Sequence, residues 1–134
     1  MGTLIRTAVA SGMDGILALK GCVDIYNLKV IRATMGAIFN IPVLTRMDLD
    51  QFIKISDRYN YNIISSDSEN GKLYNKIDYN EPFMIVIGNE GRGIRSEIIS
   101  LSDKIVKIPI IGDIDSLNAA VAGGIILYKS VEDE

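Results

Sequence analysis

Short apolar runs alternate with segments of helical spacing along most of the chain, and that alternation limits the fold more than any other feature. Gly15 to Leu19, Tyr61 to Ser65, Phe83 to Ile87 and Ile105 to Ile108 read as buried strands. Between them, Asn27 to Ile38, a segment capped by Asp48 and ending near Tyr59, Ile94 to Leu101, and Ser116 to Lys129 read as helices. Strands separated by helices pair in parallel, so the pattern predicts an α/β domain with a mainly parallel sheet. The polar stretch DSENGK, from Asp67, reads as a turn or loop. Gly2 to Ser11 reads as a helix already under way at the first residue, where a domain of this class normally opens on a strand. The last helix is apolar around most of its circumference, which predicts burial in a core or against a partner chain.

Several kinds of chemistry are excluded by what the chain lacks. With no histidine among 134 residues, Ser-His-Asp and Cys-His nucleophiles cannot form, and neither can most zinc sites, so no metal is expected. Cys22, the one cysteine, cannot make an internal disulfide, which suits a reducing cytoplasm. A content of 48% hydrophobic and 23% charged residues, with no apolar run long enough to span a bilayer, predicts a globular domain and no membrane partner. The net charge of −3 provides no global field for nucleic acid, so any such contact depends on local patches.

Two stretches carry chemical signals. In VIGNEGRGIR, Val86 to Arg95, the glycines stand at 88, 91 and 93, a spacing that fits neither the dinucleotide G-x-G-x-x-G nor a P-loop. Glu90 in their midst would repel a phosphate. A cation that also offers hydroxyl groups suits such a loop better, and S-adenosylmethionine has this character; a tight strand-to-helix turn with an exposed acid is the plainer alternative. In KIPIIGDIDSLNAAVAGG, Lys107 to Gly124, Pro109 stiffens the exit of a strand and Asp115 or Ser116 is placed to cap the next helix, with Asn118 in its first turn. Gly123 and Gly124 inside that helix each cost roughly 1 kcal/mol relative to Ala, which close approach of another backbone would explain. Arg6 is the lone charge in GTLIRTA, Gly2 to Ala8.

These segments, in this order, resemble the motifs of the SpoU (TrmH-like) RNA methyltransferases of the SPOUT superfamily. GTLIRTA is similar to the end of motif 1, VIGNEGRGI to motif 2 and VKIPIIGDIDSLNAAVAGGIILY to motif 3. Val23 to Val43, with Lys29, Arg32, Ala33 and Gly36 in a K-x-x-R-A-x-x-G core, is similar to the family's linking segment. The resemblance implies a parallel α/β fold with a deep C-terminal trefoil knot, S-adenosylmethionine as cofactor, a homodimer, and methylation of a ribose 2′-hydroxyl in rRNA or tRNA. Position by position, it implies a catalytic group of Arg6, Glu90, Ser116 and Asn118, and cofactor contacts at Ser65, Gly88, Asn89, Ile108, Ile110 and Leu117. Lys29, Arg32, Arg92 and Arg95 are candidate RNA phosphate contacts. The family's motif 1 Asn would fall just before Met1, and its first strand is missing, so residues 1–134 are expected to be a single, N-terminally truncated catalytic domain. Two alternatives stand beside the enzyme: a cofactor-binding or RNA-binding remnant without turnover, and a nucleotide-binding module of flavodoxin-like type.

Overall fold

The computed structural model describes residues 1–132, which fall into two units divided after Arg58. In the first unit, α1 (Gly2–Ala10) buries Gly2, Ile5 and Ala8 along one face at helical spacing. A Cβ on Gly2 would meet the Ala33 Cβ and, at 2.6 Å, the Val30 carbonyl oxygen, so glycine is what lets α1 approach α2 (Leu28–Ala33). Asn27 caps α2, its side chain accepting from the Lys29 amide at 2.8 Å.

The predicted helix of residues 27 to 38 is in fact two pieces. Met35 and Gly36 take left-handed φ of 51° and 83°, which ends α2 and starts a 3-10 turn at Ala37–Asn40. The strand β2 (Val43–Met47), absent from the sequence reading, pairs in parallel with β1 (Ile16–Leu19). It was hidden by its polar Thr45 and Arg46 and by an irregularity: Leu17 and Leu19 pair with Leu44 and Met47, and Arg46 sits at φ 54° in the resulting bulge. The helix α3 (Leu49–Tyr59) opens on a reciprocal capping box. Asp48 Oδ1 accepts from the Gln51 amide at 2.8 Å, and Gln51 Oε1 accepts from the Asp48 amide at 3.0 Å.

The second unit holds β3 (Asn62–Ser66), the short β4 (Lys72–Leu73), β5 (Phe83–Val86), α4 (Ser96–Leu101), β6 (Lys104–Lys107) and α5 (Ala119–Glu132). Its sheet has the order β4-β6-β3-β5 and every pairing is parallel, as the alternation predicts. The last strand, β6, lies between β3 and β4 and not at an edge. Ile64, Val106, Ile126 and Tyr79 form the core of this unit, with Phe83, Ile85, Ile87 and Ile108 packed against it. The Tyr79 hydroxyl is satisfied inside that apolar setting by donating to the Tyr74 carbonyl at 2.7 Å.

Two boundaries here differ from the sequence reading. DSENGK runs into β4, whose two residues were too few to register as a strand. The final helix starts at Ala119, three residues later than predicted, because Asn118 and neither Asp115 nor Ser116 is its cap. Asn118 Oδ1 accepts from the Ala120 amide at 2.9 Å and from the Val121 amide at 3.2 Å.

Candidate functional site

At the carboxyl ends of β3, β5 and β6 the second unit opens into a cleft of about 390 Å³. This is where ligands bind in open parallel sheets, since the strand-to-helix turns gather there. The turn after β5 forms one wall. Asn89 and Gly93 exchange backbone hydrogen bonds at 2.8 and 3.2 Å, closing a small loop, and Asn89 Oδ1 accepts from the Gly91 amide at 2.8 Å. Gly93 provides the left-handed φ of 66° that the closure requires. Gly88 has a different reason: a Cβ there would stand 2.5 Å from the Gly93 carbonyl carbon and 2.7 Å from the Ile94 nitrogen.

Glu90 reaches out of this loop to the start of α5. Its Oε1 accepts from Asn118 Nδ2 at 2.7 Å and from the Ala119 amide at 3.4 Å. One asparagine therefore caps α5 with its oxygen and holds the loop with its nitrogen. The carboxylate also sits where the helix N-terminus presents free amides, a favourable place for negative charge. Two segments 28 residues apart in sequence are joined in this way.

Of the residues named from the sequence, Gly88, Asn89, Glu90, Ile108, Ile110, Ser116 and Leu117 line the cleft. Asn118 touches it through Glu90. Ser65 does not line it: its side chain is fully buried and shares a 2.6 Å hydrogen bond with the Ser102 hydroxyl, while Ser66 and Asp67 take the lining position. In a strand, neighbouring side chains point to opposite faces, so a shift of one residue decides this. Arg6 is exposed on α1 of the first unit. Arg92 lines the cleft, and Arg95 is exposed before α4. Lys29 and Arg32 are exposed on α2.

The sequence reading missed Asp67. Its carboxylate accepts from the Glu69 amide at 2.8 Å and the Asn70 amide at 3.1 Å, and the first of these bonds is the main cause holding its pKa below the ordinary 3.8. The available signal was an Asp opening the polar turn DSENGK just after a strand.

The model of the SpoU rRNA Methylase family matches residues 1–128. The chain belongs to the SpoU rRNA methylase family. Among relatives of this SpoU chain, the 23S rRNA (guanosine(2553)-2′-O)-methyltransferase RlmP of Bacillus subtilis is 34% identical over 128 residues, covering 96% of this chain and 51% of that protein. An AdoMet-bound rRNA methyltransferase from Sinorhizobium meliloti superposes with a TM-score of 0.90 at 34% identity, over 98% of this chain and 50% of that one. The SpoU methyltransferase AviRb from Streptomyces viridochromogenes, in complex with AdoMet, superposes with a TM-score of 0.93 at 28% identity, over 98% and 54%. The SpoU chain thus spans about half the length of these relatives. The family match displaces the flavodoxin-like alternative. Among the described residues no helix is long and apolar enough to cross a membrane.

Proposed function

We propose that this chain carries the cofactor and catalytic segment of an S-adenosylmethionine-dependent RNA ribose 2′-O-methyltransferase. The observation that carries the reading is the Glu90 to Asn118 contact, which joins the two motif segments at the wall of one cleft. The lining suits this cofactor chemically. Ile108, Ile110 and Leu117 offer an apolar surface to an adenine ring, and carboxylates outnumber the single Arg92 around a ligand that carries a sulfonium. Two AdoMet-bound structures share this fold, and the Bacillus subtilis relative is named for 2′-O-methylation.

When bound, the cofactor supplies an already activated methyl group, so the chain's own work is positioning and charge control. Gly88 and Asn89 shape the loop beside the ligand; Ile108, Ile110 and Leu117 hold its apolar part. Ser65 acts from behind, fixing the end of β3 through Ser102. Glu90 and Asn118 keep the loop registered on α5. Ser116, exposed at the rim, is placed to meet the incoming ribose. To Arg6 we assign the stabilisation of negative charge as the ribose 2′-hydroxyl loses its proton, because a guanidinium with a pKa above about 12 keeps its own proton. The family reading also implies a homodimer, which the half-exposed Val121 and Tyr128 on α5 support, and a threaded C-terminus, which the central position of β6 supports.

The test is transfer of a labelled methyl group from S-adenosylmethionine to bulk rRNA and tRNA, followed by alkaline hydrolysis. A 2′-O-methyl group blocks cleavage at its own position, so the label is expected in alkali-resistant dinucleotides and is expected to vanish with Arg6→Ala. Label recovered in free mononucleotides would overturn the ribose assignment. Cofactor binding without any transfer would turn the reading to a non-catalytic remnant.

A further inference from the structure

Asp67 lies outside all of the motif segments, yet it lines the cleft with both its backbone and its side chain hydrogen-bonded. Its amide donates to the Val106 carbonyl of β6 at 2.9 Å, and its Oδ1 takes the Glu69 and Asn70 amides. Backbone and side chain are thus both fixed, one residue past the end of β3. The other acids of the lining are more exposed than Asp67. Glu69 and Asp115 are exposed, and Glu90 is committed to Asn118 and Ala119.

We propose that Asp67 is a specificity-determining residue of this cleft, favouring the cationic methyl donor over its neutral demethylated product. The proposal rests on the cleft being the S-adenosylmethionine site. Donor and product differ by one methyl group and one positive charge, so apolar and hydrogen-bonding contacts serve both almost equally. A fixed negative charge responds most directly to that difference. Asp67 is half-buried, so its field is less screened than that of a fully solvated acid, and the Glu69 amide bond lowers its pKa and favours the charged form. Product departure then follows from the chemistry itself, since methyl transfer removes the charge that the carboxylate attracts.

The experiment is calorimetry on the 134-residue chain with three ligands. These are S-adenosylmethionine, S-adenosylhomocysteine, and sinefungin, which carries an amine in place of the sulfonium and cannot transfer a methyl. In Asp67→Asn the amide oxygen can still accept from Glu69 and Asn70, so the turn is kept and the charge is lost. This variant is expected to weaken both cationic ligands about three- to tenfold, the size of one partly screened charge contact, and to leave S-adenosylhomocysteine within about twofold. Asp67→Glu is expected to recover part of the preference, and raised salt to reduce it in the wild type. Asp78→Asn is the control, because Asp78 also closes a turn, by accepting from the Asn80 amide at 2.8 Å, and lies in the separate hollow beside Lys72 and Lys104. Equal weakening of all three ligands by Asp67→Asn, no weakening, or the same effect from Asp78→Asn would overturn the proposal. If the wild-type chain binds none of the three, the cofactor reading of the cleft itself falls, an outcome distinct from a wild type that binds all three alike.

Discussion

The two ends of the four-stranded sheet are built for different purposes, and the contrast explains which one is the site. At the carboxyl end lies the cleft of about 390 Å³ with Asp67, Glu69, Glu90 and Asp115 around it. At the other end a larger hollow of about 490 Å³ carries Lys72, Lys76 and Lys104 with Asp78 and Asp103. Chemistry favours the first. The charges of the hollow are spent on holding the fold: Asp103 Oδ2 accepts from the Ile63 amide at 2.8 Å, and Lys104 Nζ donates to the Asp78 carbonyl at 3.0 Å. Around the cleft the polar groups instead shape loops that stay open to a ligand. A parallel sheet creates this asymmetry, because every strand delivers its chain to the same end.

The largest predicted effect breaks the cleft end alone. In Gly88→Ala the new Cβ meets backbone atoms, the Gly93 carbonyl carbon and the Ile94 nitrogen, neither of which can swing aside as a side chain can. The loop must open, at a cost of about 1 to 3 kcal/mol in stability. Affinity for S-adenosylhomocysteine is expected to fall more than about tenfold, since the displaced loop is the cleft wall. A variant with wild-type affinity would show that the loop does not form the site. Gly71→Ala is the counterpart at the hollow, where a Cβ would run into the Ile105 carbonyl at a φ of +99°. There the melting temperature is expected to drop while binding is largely retained.

Next in size is the clip between loop and helix. Asn118→Ala removes the cap of α5 and frees Glu90, and loss of a cap alone costs about 1 kcal/mol, up to about 2. Glu90→Gln keeps an acceptor and removes the charge at the helix N-terminus, worth about 0.3 to 1 kcal/mol. The two residues touch, so a double-mutant cycle by chemical denaturation is expected to give a coupling of at least about 0.5 kcal/mol. Strictly additive costs would mean that the contact contributes nothing to holding the loop.

The same contrast shows what sequence could and could not reveal. The strands β3, β5 and β6 were legible within a residue or two, because each centres on a short run of Ile, Val, Met or Phe. β2 was not legible, since Thr45, Arg46 and a bulge break its run, and α2 was overextended because nothing local reveals that Met35 adopts a left-handed φ. At the cleft, the motif residues named from the family resemblance come from two segments, and the structure brings Glu90 and Asn118 within hydrogen-bonding distance. Ser65 was named for the cleft and Asp67 was not, and one reason covers both. Which of three consecutive polar residues at the end of β3 faces the cleft depends on strand register, and register is set by β5 and β6, far along the chain.

A smaller effect is expected from acid. The Asp67 carboxyl is more acidic folded than unfolded, so its contribution to stability is fully present above the ordinary value of 3.8 and is lost as pH falls through the depressed folded value. Asp67→Asn is therefore expected to lower stability in the neutral region, to flatten the acid limb, and to converge with the wild type as pH falls below about 4. An acid limb identical to that of the wild type would show that the turn at Glu69 and Asn70 does not depend on the charge.

The smallest effects are expected at the hollow, and their smallness is the test. Lys76→Ala removes an exposed cation from a setting already balanced by Asp78 and Asp103, and Lys104→Ala gives up one hydrogen bond to the Asp78 carbonyl. Surface changes of this kind fall within about 0.5 kcal/mol, and neither residue lies at the carboxyl ends of the strands. Calorimetry with S-adenosylhomocysteine is expected to give wild-type affinity for both variants. A loss of more than about threefold from either would mean that the amino end of the sheet communicates with the cleft, and the division of labour between the two ends would have to be abandoned.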